Sequence, residues 1–335
     1  MHMSNSKFED FKNYIINKNV LITSHNLVDI DGLVSCFVLK FFLNFFSENE
    51  KTIIYLPEIS KTTRTFIERI TLKFPELELT FVKEVSLSNF DIILILDTNN
   101  PAQTNLDVLE SKIPFIFIDH HFNLKKDYEL NLKSLNIIID EISSTSEIIF
   151  EMFKYFNLKI PLPYKYLLIS GILTDSGNFK YGNNDTIIRV SNLLDSQVDF
   201  QEILSIMKNN TEIPEKIAKI KGLQRAQLIQ HGEWLIGITH VGSYEANVAK
   251  SLIQIGFDIG IVHSTKKSKF RISTRAPKYV CGKTGLHLGK ILEEVSNEFE
   301  ASGGGHDGAA SLNGTNNLEE ILDKIIYKIK FILNN

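Results

Sequence analysis

Five short segments in the first half of the chain are mostly apolar, and patterns typical of helices separate them. The segments cover residues 20–24, 53–56, 91–97, 114–119 and 136–140. Strands that are apolar on both faces need cover on both, as in a parallel sheet between two layers of helices. We therefore predict a doubly wound α/β domain with a mostly parallel sheet. Its predicted helices include residues 31–46, 62–74, 104–111, 148–156 and 164–173.

A second, smaller domain is predicted because the pattern changes after Gly232. Residues 233–240, 259–262 and 269–274 have strand patterns, and residues 243–255 and 286–299 have helical ones. Residues 199–230 are predicted to be mainly helical, as a connector would be. A chain of 335 residues is also long for a single hydrophobic core. The predicted organisation is an α/β domain over 1–195, a helical linker over 196–230 and a smaller mixed α/β domain over 231–335.

Charge and cysteine content exclude several classes of protein. The formal net charge is −4, which argues against coating nucleic acid through bulk charge. Cys36 and Cys281 are the only cysteines, so neither a disulfide scaffold nor a four-thiolate zinc site can form. The most apolar stretch, residues 34–46, is too short to span a bilayer, and no apolar run follows a basic N-terminus. We expect a cytoplasmic protein without a membrane partner.

Acidic and imidazole side chains follow three of the predicted strands, and one more aspartate follows the helix predicted over 164–173. In an open α/β sheet, the loops beyond the carboxyl ends of the strands line a single crevice. We therefore expect these side chains to converge. They are His25, Asp29, Asp31, Asp97, Asp119, His120, His121 and Asp175.

This set of side chains predicts a pair of divalent cations. Carboxylates crowded together repel one another unless cations neutralise them. Carboxylate and imidazole ligands without thiolate suit Mn²⁺ or Mg²⁺, with Zn²⁺ and Fe²⁺ left open. Because two such ions can clamp a phosphoryl group and activate a water, hydrolysis of a phosphate ester is the expected reaction. Taken singly, Asp29 or Asp31 could instead cap the following helix.

The C-terminal region contains a second group of residues suited to an anion. Residues 303–305 are glycines, whose bare backbone can approach an anion closely, and His306 can donate to phosphate. Ser273 and Arg275 lie on a predicted strand and could complete the site. Residues 262–290 contain eight Lys or Arg and no Asp or Glu, so the rest of the chain carries −12. This local excess favours a phosphate-rich ligand, with a solvated surface as the alternative.

Together these motifs resemble those of the DHH phosphoesterases, a family named for the triplet found here at residues 119–121. His25 with Asp29 and Asp31 is similar to the first motif of the family, Asp97 to the second and Thr174-Asp175 to the fourth. Residues 25–32 read His-Asn-Leu-Val-Asp-Ile-Asp-Gly, with Leu and Val where Asn or Ala and Pro often stand. That departure leaves the three ligands in place.

Residues 231–335 resemble the DHH-associated domain. The similarity rests on Arg-Ile-Ser-Thr-Arg at 271–275 and on the glycine-rich histidine motif at 303–306. By length, the nanoRNase-like enzymes are the most similar subgroup, and the RecJ-type exonucleases are more distant.

The resemblance implies two manganese ions, with Mg²⁺ or another divalent ion as the alternative. The first ion would be held by His25, Asp29 and Asp97, and the second by Asp31, Asp97, His120 and Asp175. His121 would contact the substrate phosphate, and Asp119 would orient the imidazoles. A water between the two ions would be the nucleophile. The substrate-binding residues would be Ser273, Arg275, Gly303, Gly304, Gly305 and His306.

The function implied by the resemblance is a Mn²⁺-dependent phosphodiesterase that removes nucleotides from short single-stranded RNA or DNA. Cyclic or linear dinucleotides and pAp are alternative substrates. Pyrophosphate is less expected, because family II inorganic pyrophosphatases carry a different second domain. A metal-dependent nucleotide-binding module without turnover is the non-enzymatic alternative. The resemblance does not decide between RNA and DNA as the substrate. It also leaves open the direction of cleavage and the formation of a homodimer.

Overall fold

The computed structural model describes residues 2–46, 51–121, 128–208 and 212–334, and it divides into two compact units. The first unit is Met1–Asn209 and the second is Asn210–Asn335. The division falls inside residues 196–230, the predicted linker. Helix α7 (Phe200–Met207) lies in the first unit and helix α8 (Ile213–Gln224) in the second.

The first unit contains a parallel five-stranded sheet in the order β2-β1-β3-β4-β5. Its strands are β1 (Val20–Thr23), β2 (Thr52–Tyr55), β3 (Ile92–Leu96), β4 (Phe115–Asp119) and β5 (Ile137–Ile138). Alternate residues of β3 are buried in two separate hydrophobic clusters, one on each face of the sheet. This double burial explains why the strands are apolar at every position, and it confirms the predicted α/β class with a parallel sheet.

Helices of the first unit follow the sequence pattern in most places. They are α1 (His2–Ile15), α2 (Ile30–Leu43), α3 (Lys61–Lys73), α4 (Thr145–Tyr155), α5 (Leu162–Asp175), α6 (Asn184–Leu193) and α7.

The helix predicted over residues 104–111 is wrong. Only a short 3₁₀ turn, Pro101–Gln103, precedes a series of turns in which Asn105 and Lys112 have positive φ angles of 54° and 59°. The apolar residues that suggested a helix have another role: Leu106 and Val108 pack against the sheet from these turns.

The second unit contains a six-stranded mixed sheet in the order β10-β11-β9-β8-β7-β6, in which only β7 and β8 are parallel neighbours. Its strands are β6 (Gln227–His231), β7 (Trp234–His240), β8 (Ile259–Lys266), β9 (Lys269–Arg275), β10 (Ala301–Gly305) and β11 (Ala309–Gly314). Its helices are α8, α9 (Glu245–Gln254), α10 (Lys278–Thr284), α11 (Leu288–Glu298) and α12 (Leu318–Leu333). This mixed sheet confirms the smaller α/β domain.

The prediction of helix up to residue 230 is wrong at its end. Residues 227–230 belong to β6, an edge strand paired with β7 through a turn in which Gly232 has a φ of 59°. Most side chains of β6 are exposed or half-buried, so the strand lacks the apolar run that would identify it.

Over the described residues, no helix is both long enough and apolar enough to cross a membrane.

Candidate metal centre

Asp97 lies at the centre of a cluster of acidic and imidazole side chains at the carboxyl ends of the sheet strands. It directly follows β3, and its backbone has a φ of 59°, a region that non-glycine residues seldom occupy. Its amide donates to the carbonyl of Ile118 on β4 at 3.0 Å. The strand therefore stops at a turn that holds the side chain of Asp97, which is only 2 % exposed, among the neighbouring loops.

One group of possible ligands is formed by His25, Asp29 and Asp97, whose ligand atoms all lie within 4.8 Å of one another. His25 Nε2 is 3.6 Å from Asp97 Oδ2 and 3.8 Å from Asp29 Oδ1. Asp29 is also the N-cap of α2, because its Oδ1 accepts from the amide of Gly32 at 3.0 Å. Asp29 therefore caps α2, as the sequence analysis considered, and it also belongs to the cluster.

A second group is formed by Asp31, Asp97, His120 and Asp175, again with all ligand atoms within 4.8 Å. His120 Nε2 is 3.2 Å from Asp175 Oδ2 and 3.5 Å from Asp97 Oδ1. Asp97 belongs to both groups. The structure therefore brings together the six side chains predicted as ligands, in two sets that share one carboxylate.

The pKa values of the cluster show how strongly these groups interact. Although burial lowers the pKa of both imidazoles, the carboxylates around them outweigh it and raise the pKa of His25 to about 10 and that of His120 to about 11. Burial favours the neutral form of Asp97, but His120 and His25 lower its pKa to about 2. Burial and the charges of Asp175 and Asp97 raise the pKa of Asp31 well above its usual value. Protons thus balance the negative charge, and metal ions would displace them.

These residues fit a pair of divalent cations. His120 Nε2 is buried and makes no well-aligned hydrogen bond to a described residue, although two carboxylate oxygens lie close to it. Poorly aligned contacts satisfy a buried nitrogen only in part, and an ion between the imidazole and the carboxylates would bond to all of these atoms. The donors are oxygen and nitrogen atoms only, which suits Mn²⁺ or Mg²⁺.

The first turn of α4 donates hydrogen bonds to two carboxylates of the cluster. The sequence analysis did not predict these contacts. The backbone amides of Thr145 and Ser146 donate to Asp31 at 2.7 and 3.1 Å, and the Ser146 hydroxyl also donates to Asp31. The Thr145 hydroxyl donates to Asp97 Oδ1 at 3.1 Å. Both residues are completely buried. From the sequence, Ser-Ser-Thr-Ser-Glu indicates a helix start, and only the tertiary fold shows that this start faces two carboxylates.

Two glycines allow the surrounding helices to approach the cluster. A Cβ on Gly171 of α5 would lie 2.1 Å from Ser146 Oγ and 2.8 Å from Asp31 Oδ1. A Cβ on Gly32 of α2 would lie 2.6 Å from Ser24 Oγ and 3.2 Å from Asp97 Oδ2. The packing around Asp31 and Asp97 therefore leaves no room for a side chain at either position.

Asp119 and His121 form a third group of possible ligands with Asp97 and His120. Asp119 is completely buried, and its Oδ1 accepts from His121 Nδ1 at 2.8 Å and from the backbone amide of His120 at 2.9 Å. It thus orients the ring of His121 but not that of His120, whereas the sequence analysis expected it to orient both. The hydrogen bond to Asp119 raises the pKa of His121, whose side chain is 55 % exposed.

The residues predicted to bind substrate lie in the second unit, at the edge formed by β9, β11 and β10. Ser273 is opposite Ser311, which is opposite Gly304, and Arg275 is opposite Ala309. Gly303 and Gly305 have packing roles, since a Cβ on Gly303 would lie 2.7 Å from the carbonyl oxygen of Leu292 and one on Gly305 would lie 2.5 Å from that of Ala309. A Cβ on Gly304 would meet nothing within 4 Å, and His306 is exposed.

Two protein-family models match this chain, one within each unit. The model of the DHH family N-terminal domain matches residues 19–172, and the model of the DHHA1 domain matches residues 246–330. The uncharacterized protein MJ0988 of Methanocaldococcus jannaschii is 30% identical over 325 residues, which cover 94% of this chain and 93% of that protein.

Two further proteins are similar over different lengths. A probable manganese-dependent inorganic pyrophosphatase of Lactobacillus delbrueckii subsp. bulgaricus is 26% identical over 200 residues, which cover 58% of this chain and 61% of that protein. The crystal structure of an exopolyphosphatase-related protein from Bacteroides fragilis covers 100% of this chain and 98% of its own, with a TM-score of 0.65 and 18% identity. At that identity the likeness concerns the fold.

The chain belongs to the DHH family and carries a DHHA1 domain in its second half. It is therefore a metal-dependent phosphoesterase, which is the class of enzyme that this family comprises.

Proposed function

We propose that this DHH family member is a manganese-dependent phosphodiesterase that hydrolyses short single-stranded oligonucleotides to mononucleotides. The observation that carries the proposal is the pair of ligand sets that share Asp97. Two ion positions with a common carboxylate suit attack on a phosphoryl group, because such ions neutralise charge on both the attacking and the leaving oxygen.

The proposal places two ions in the first unit. His25, Asp29 and Asp97 would hold one, and Asp31, Asp97, His120 and Asp175 would hold the other. Bound ions would supply an activated water at neutral pH and polarise the phosphoryl oxygens. The manganese dependence in the name of the pyrophosphatase relative supports Mn²⁺ as the metal.

His121 is suited to bind the phosphate that is cleaved. Its Nδ1 is held by Asp119, so its Nε2 is left to contact substrate. Because the same hydrogen bond favours the protonated ring, His121 would donate a charged hydrogen bond to a phosphate oxygen. Asp119 then acts by fixing the orientation of that ring.

The second unit would bind the nucleotide chain through Ser273, Arg275, residues 303–305 and His306. Ser273 is 1 % exposed, and its hydroxyl has no hydrogen-bond partner within the described part of the chain. Arg275 uses one guanidinium nitrogen on the carbonyl of Thr274 at 2.8 Å, which fixes the side chain and leaves its other donors available. Such a group of donors suits a phosphodiester.

The substrate panel that tests the proposal consists of 5′-labelled and 3′-labelled oligoribonucleotides and oligodeoxynucleotides of 2 to 24 nucleotides, cyclic dinucleotides, pAp and pyrophosphate, each with Mn²⁺. We expect the highest kcat/KM for the short oligonucleotides, and the two label positions give the direction of cleavage. If cyclic dinucleotides, pAp or pyrophosphate are cleaved with a higher kcat/KM, that compound and not the oligonucleotide is the substrate. Binding of oligonucleotides with no cleavage of any compound would support a binding module instead.

A further inference from the structure

Strand β6 forms one edge of the sheet in the second unit, with β7 on one side and an open side on the other. Within the described residues it pairs with β7 and with no other strand. It reads Gln-Leu-Ile-Gln-His, so it contains no proline, lysine or acidic residue. Natural edge strands usually carry such residues or a bulge, because their unpaired amides and carbonyls can otherwise bind another strand. The open side of β6 lacks this protection.

The register of the β6–β7 hairpin shows which backbone groups face the open side. His231 and Trp234 close a turn of two residues, and such a closing pair exchanges both of its backbone hydrogen bonds. Hydrogen-bonded and non-hydrogen-bonded pairs alternate from there, so Ile229 bonds to β7 and its two neighbours do not. The amides and carbonyls of Leu228 and Gln230 therefore point to the open side.

Apolar side chains are exposed at the same edge. Leu228 is opposite Gly237 and is 59 % exposed. Ile229 points to the other face of the sheet, where it packs, partly buried, against the cluster that contains Trp234 and Ile236. The open side of β6 thus combines free backbone groups with an apolar side chain on each face of the sheet.

We infer that β6 is a self-association surface, to which a second copy of this chain adds its own β6 in the antiparallel direction. The backbone groups fix the register, because Leu228 of one copy then exchanges both hydrogen bonds with Gln230 of the other. A two-fold axis passes beside Ile229, so the same pair forms twice. The six-stranded sheets of the two copies become one continuous sheet.

The apolar side chains at this edge meet across the two-fold axis. Ile229 lies directly opposite Ile229 of the second copy in a non-hydrogen-bonded pair, the kind in which side chains are closest. On the other face, the two copies of Leu228 are diagonal neighbours at about 7 to 8 Å, which is within reach of long side chains. Both exposed apolar positions of the edge therefore gain a partner.

Charges at the two ends of β6 are complementary in this arrangement. Arg225 and Glu233 each lie two residues beyond an end of the strand, so antiparallel pairing brings Arg225 of one copy near Glu233 of the other. Both side chains are exposed. Glu233 also contacts Lys283 of its own chain at 2.9 Å, whereas Arg225 has no carboxylate within salt-bridge distance among the described residues. The contact occurs twice about the axis, which favours a second copy of this chain over an unrelated strand.

The first test measures the mass of the full-length protein by light scattering after size-exclusion chromatography. Loading concentrations extend to about 200 µM, because small interfaces bind weakly. The test variant is Leu228→Lys and the matched control is Ile255→Lys, since Ile255 is 60 % exposed and lies at the end of α9. Circular dichroism and Trp234 fluorescence check the fold of each variant.

We expect the wild type to approach twice the 38.2 kDa of one chain as its concentration rises. Leu228→Lys should weaken dimerisation about tenfold or more, because it places lysines of the two copies beside each other and lysine protects natural edges. Ile255→Lys should leave dimerisation within about twofold of the wild type. A monomer at every concentration would overturn the inference and leave the edge to a different strand. Equal effects of the two variants would overturn it as well.

The second test checks the register with single cysteine substitutions and mild oxidation. Ile229→Cys places its two sulfurs in a non-hydrogen-bonded pair, whose Cα atoms are about 4.5 Å apart and within disulfide range. Gln230→Cys is the matched control, because its two copies lie diagonally, beyond the roughly 7 Å that a disulfide can bridge. Cys36 and Cys281 are buried and are the same in both variants. We expect a disulfide-linked dimer on a non-reducing gel for Ile229→Cys, and equal or stronger cross-linking of Gln230→Cys would overturn the inference.

Discussion

At the scale of single residues, Thr145 holds two carboxylates of the candidate ligand cluster by hydrogen bonds. Its hydroxyl donates to Asp97 Oδ1, the carboxylate shared by the two ligand sets, while its amide donates to Asp31. Hydrogen bonds to a ligating carboxylate fix its orientation, and their loss commonly weakens metal binding. Thr145 is therefore a positioning residue for Asp97.

Replacing Thr145 by Val tests this role, because the change removes the hydroxyl and keeps the shape. We expect Mn²⁺ affinity about tenfold lower or more, which is the usual effect of removing such a partner. The backbone amide remains, so the contact with Asp31 is kept. Isothermal titration with Mn²⁺ gives the affinity directly.

Thr145→Ser is the matched control, since serine keeps the hydroxyl and loses only a methyl group. Its Mn²⁺ affinity should stay within about threefold of the wild type. If Val and Ser weaken Mn²⁺ binding equally, the packing of Thr145 matters and its hydrogen bond to Asp97 does not.

The residues of the site were predictable from the sequence because each stands next to a recognisable element. Asp97 and Asp119 lie at the ends of strands that are apolar on both faces, and Asp175 ends an apolar helix. Thr145 and Ser146 were not predictable as partners of the ligands, since their residue types already have a sufficient local explanation as a helix start. Their contacts with Asp31 join residues more than a hundred positions apart.

At the scale of elements, the close packing of α4 and α5 determines where Asp31 can lie. Gly171 on α5 leaves the space that Ser146 Oγ and Asp31 Oδ1 occupy. A methyl group at this position would force at least one of the two polar atoms to move. The helix pair and the metal centre should therefore respond together to a change at Gly171.

Overpacking a core usually costs about 1 to 3 kcal/mol, and alanine gains roughly 1 kcal/mol over glycine in a helix. Gly171→Ala is therefore expected to destabilise the protein by up to about 2 kcal/mol. Urea unfolding gives the free energy, and Mn²⁺ titration of the same variant should show weaker binding.

Gly282→Ala provides the opposite control. Gly282 lies in α10, where a Cβ would meet nothing within 4 Å. We expect stabilisation of about 0.5 to 1 kcal/mol, because alanine loses less conformational entropy in a helix. If Gly171→Ala stabilises the protein as Gly282→Ala does, then the packing of α5 against Asp31 is looser than described.

Strand β10 was not predicted from the sequence, because its residues lack a strand pattern. Consecutive glycines have high conformational entropy and no side chains to form a strand pattern, so local propensity argues against a strand at 303–305. Pairing with β11 and the approach of α11, where a Cβ on Gly289 would lie 2.1 Å from the carbonyl oxygen of Gly305, explain both the strand and its glycines. The decisive contacts are tertiary.

At the scale of the whole molecule, the two units have separate hydrophobic cores and one of them contains the metal centre. Ligand binding stabilises the part of a protein that binds it, by about 2.7 kcal/mol at a hundred times Kd. The single tryptophan, Trp234, is buried in the second unit. Its fluorescence therefore reports unfolding of that unit alone.

Addition of Mn²⁺ is expected to raise the melting temperature of a transition seen by circular dichroism and to leave the Trp234 fluorescence transition unchanged. EDTA should reverse the shift. An equal shift in both signals would show that the two units unfold as one cooperative structure.

The central claim is that two divalent ions share Asp97 in the first unit, and anomalous scattering from crystals grown with Mn²⁺ tests it most directly. We expect two anomalous peaks, one among His25, Asp29 and Asp97 and the other among Asp31, Asp97, His120 and Asp175. Crystals of Asp97→Asn provide the comparison, since asparagine tolerates the positive φ at this position but lacks the charge. Strong peaks in the wild type that are lost in the variant are the result we expect. No manganese at these side chains, or two undiminished peaks in Asp97→Asn, would contradict the account.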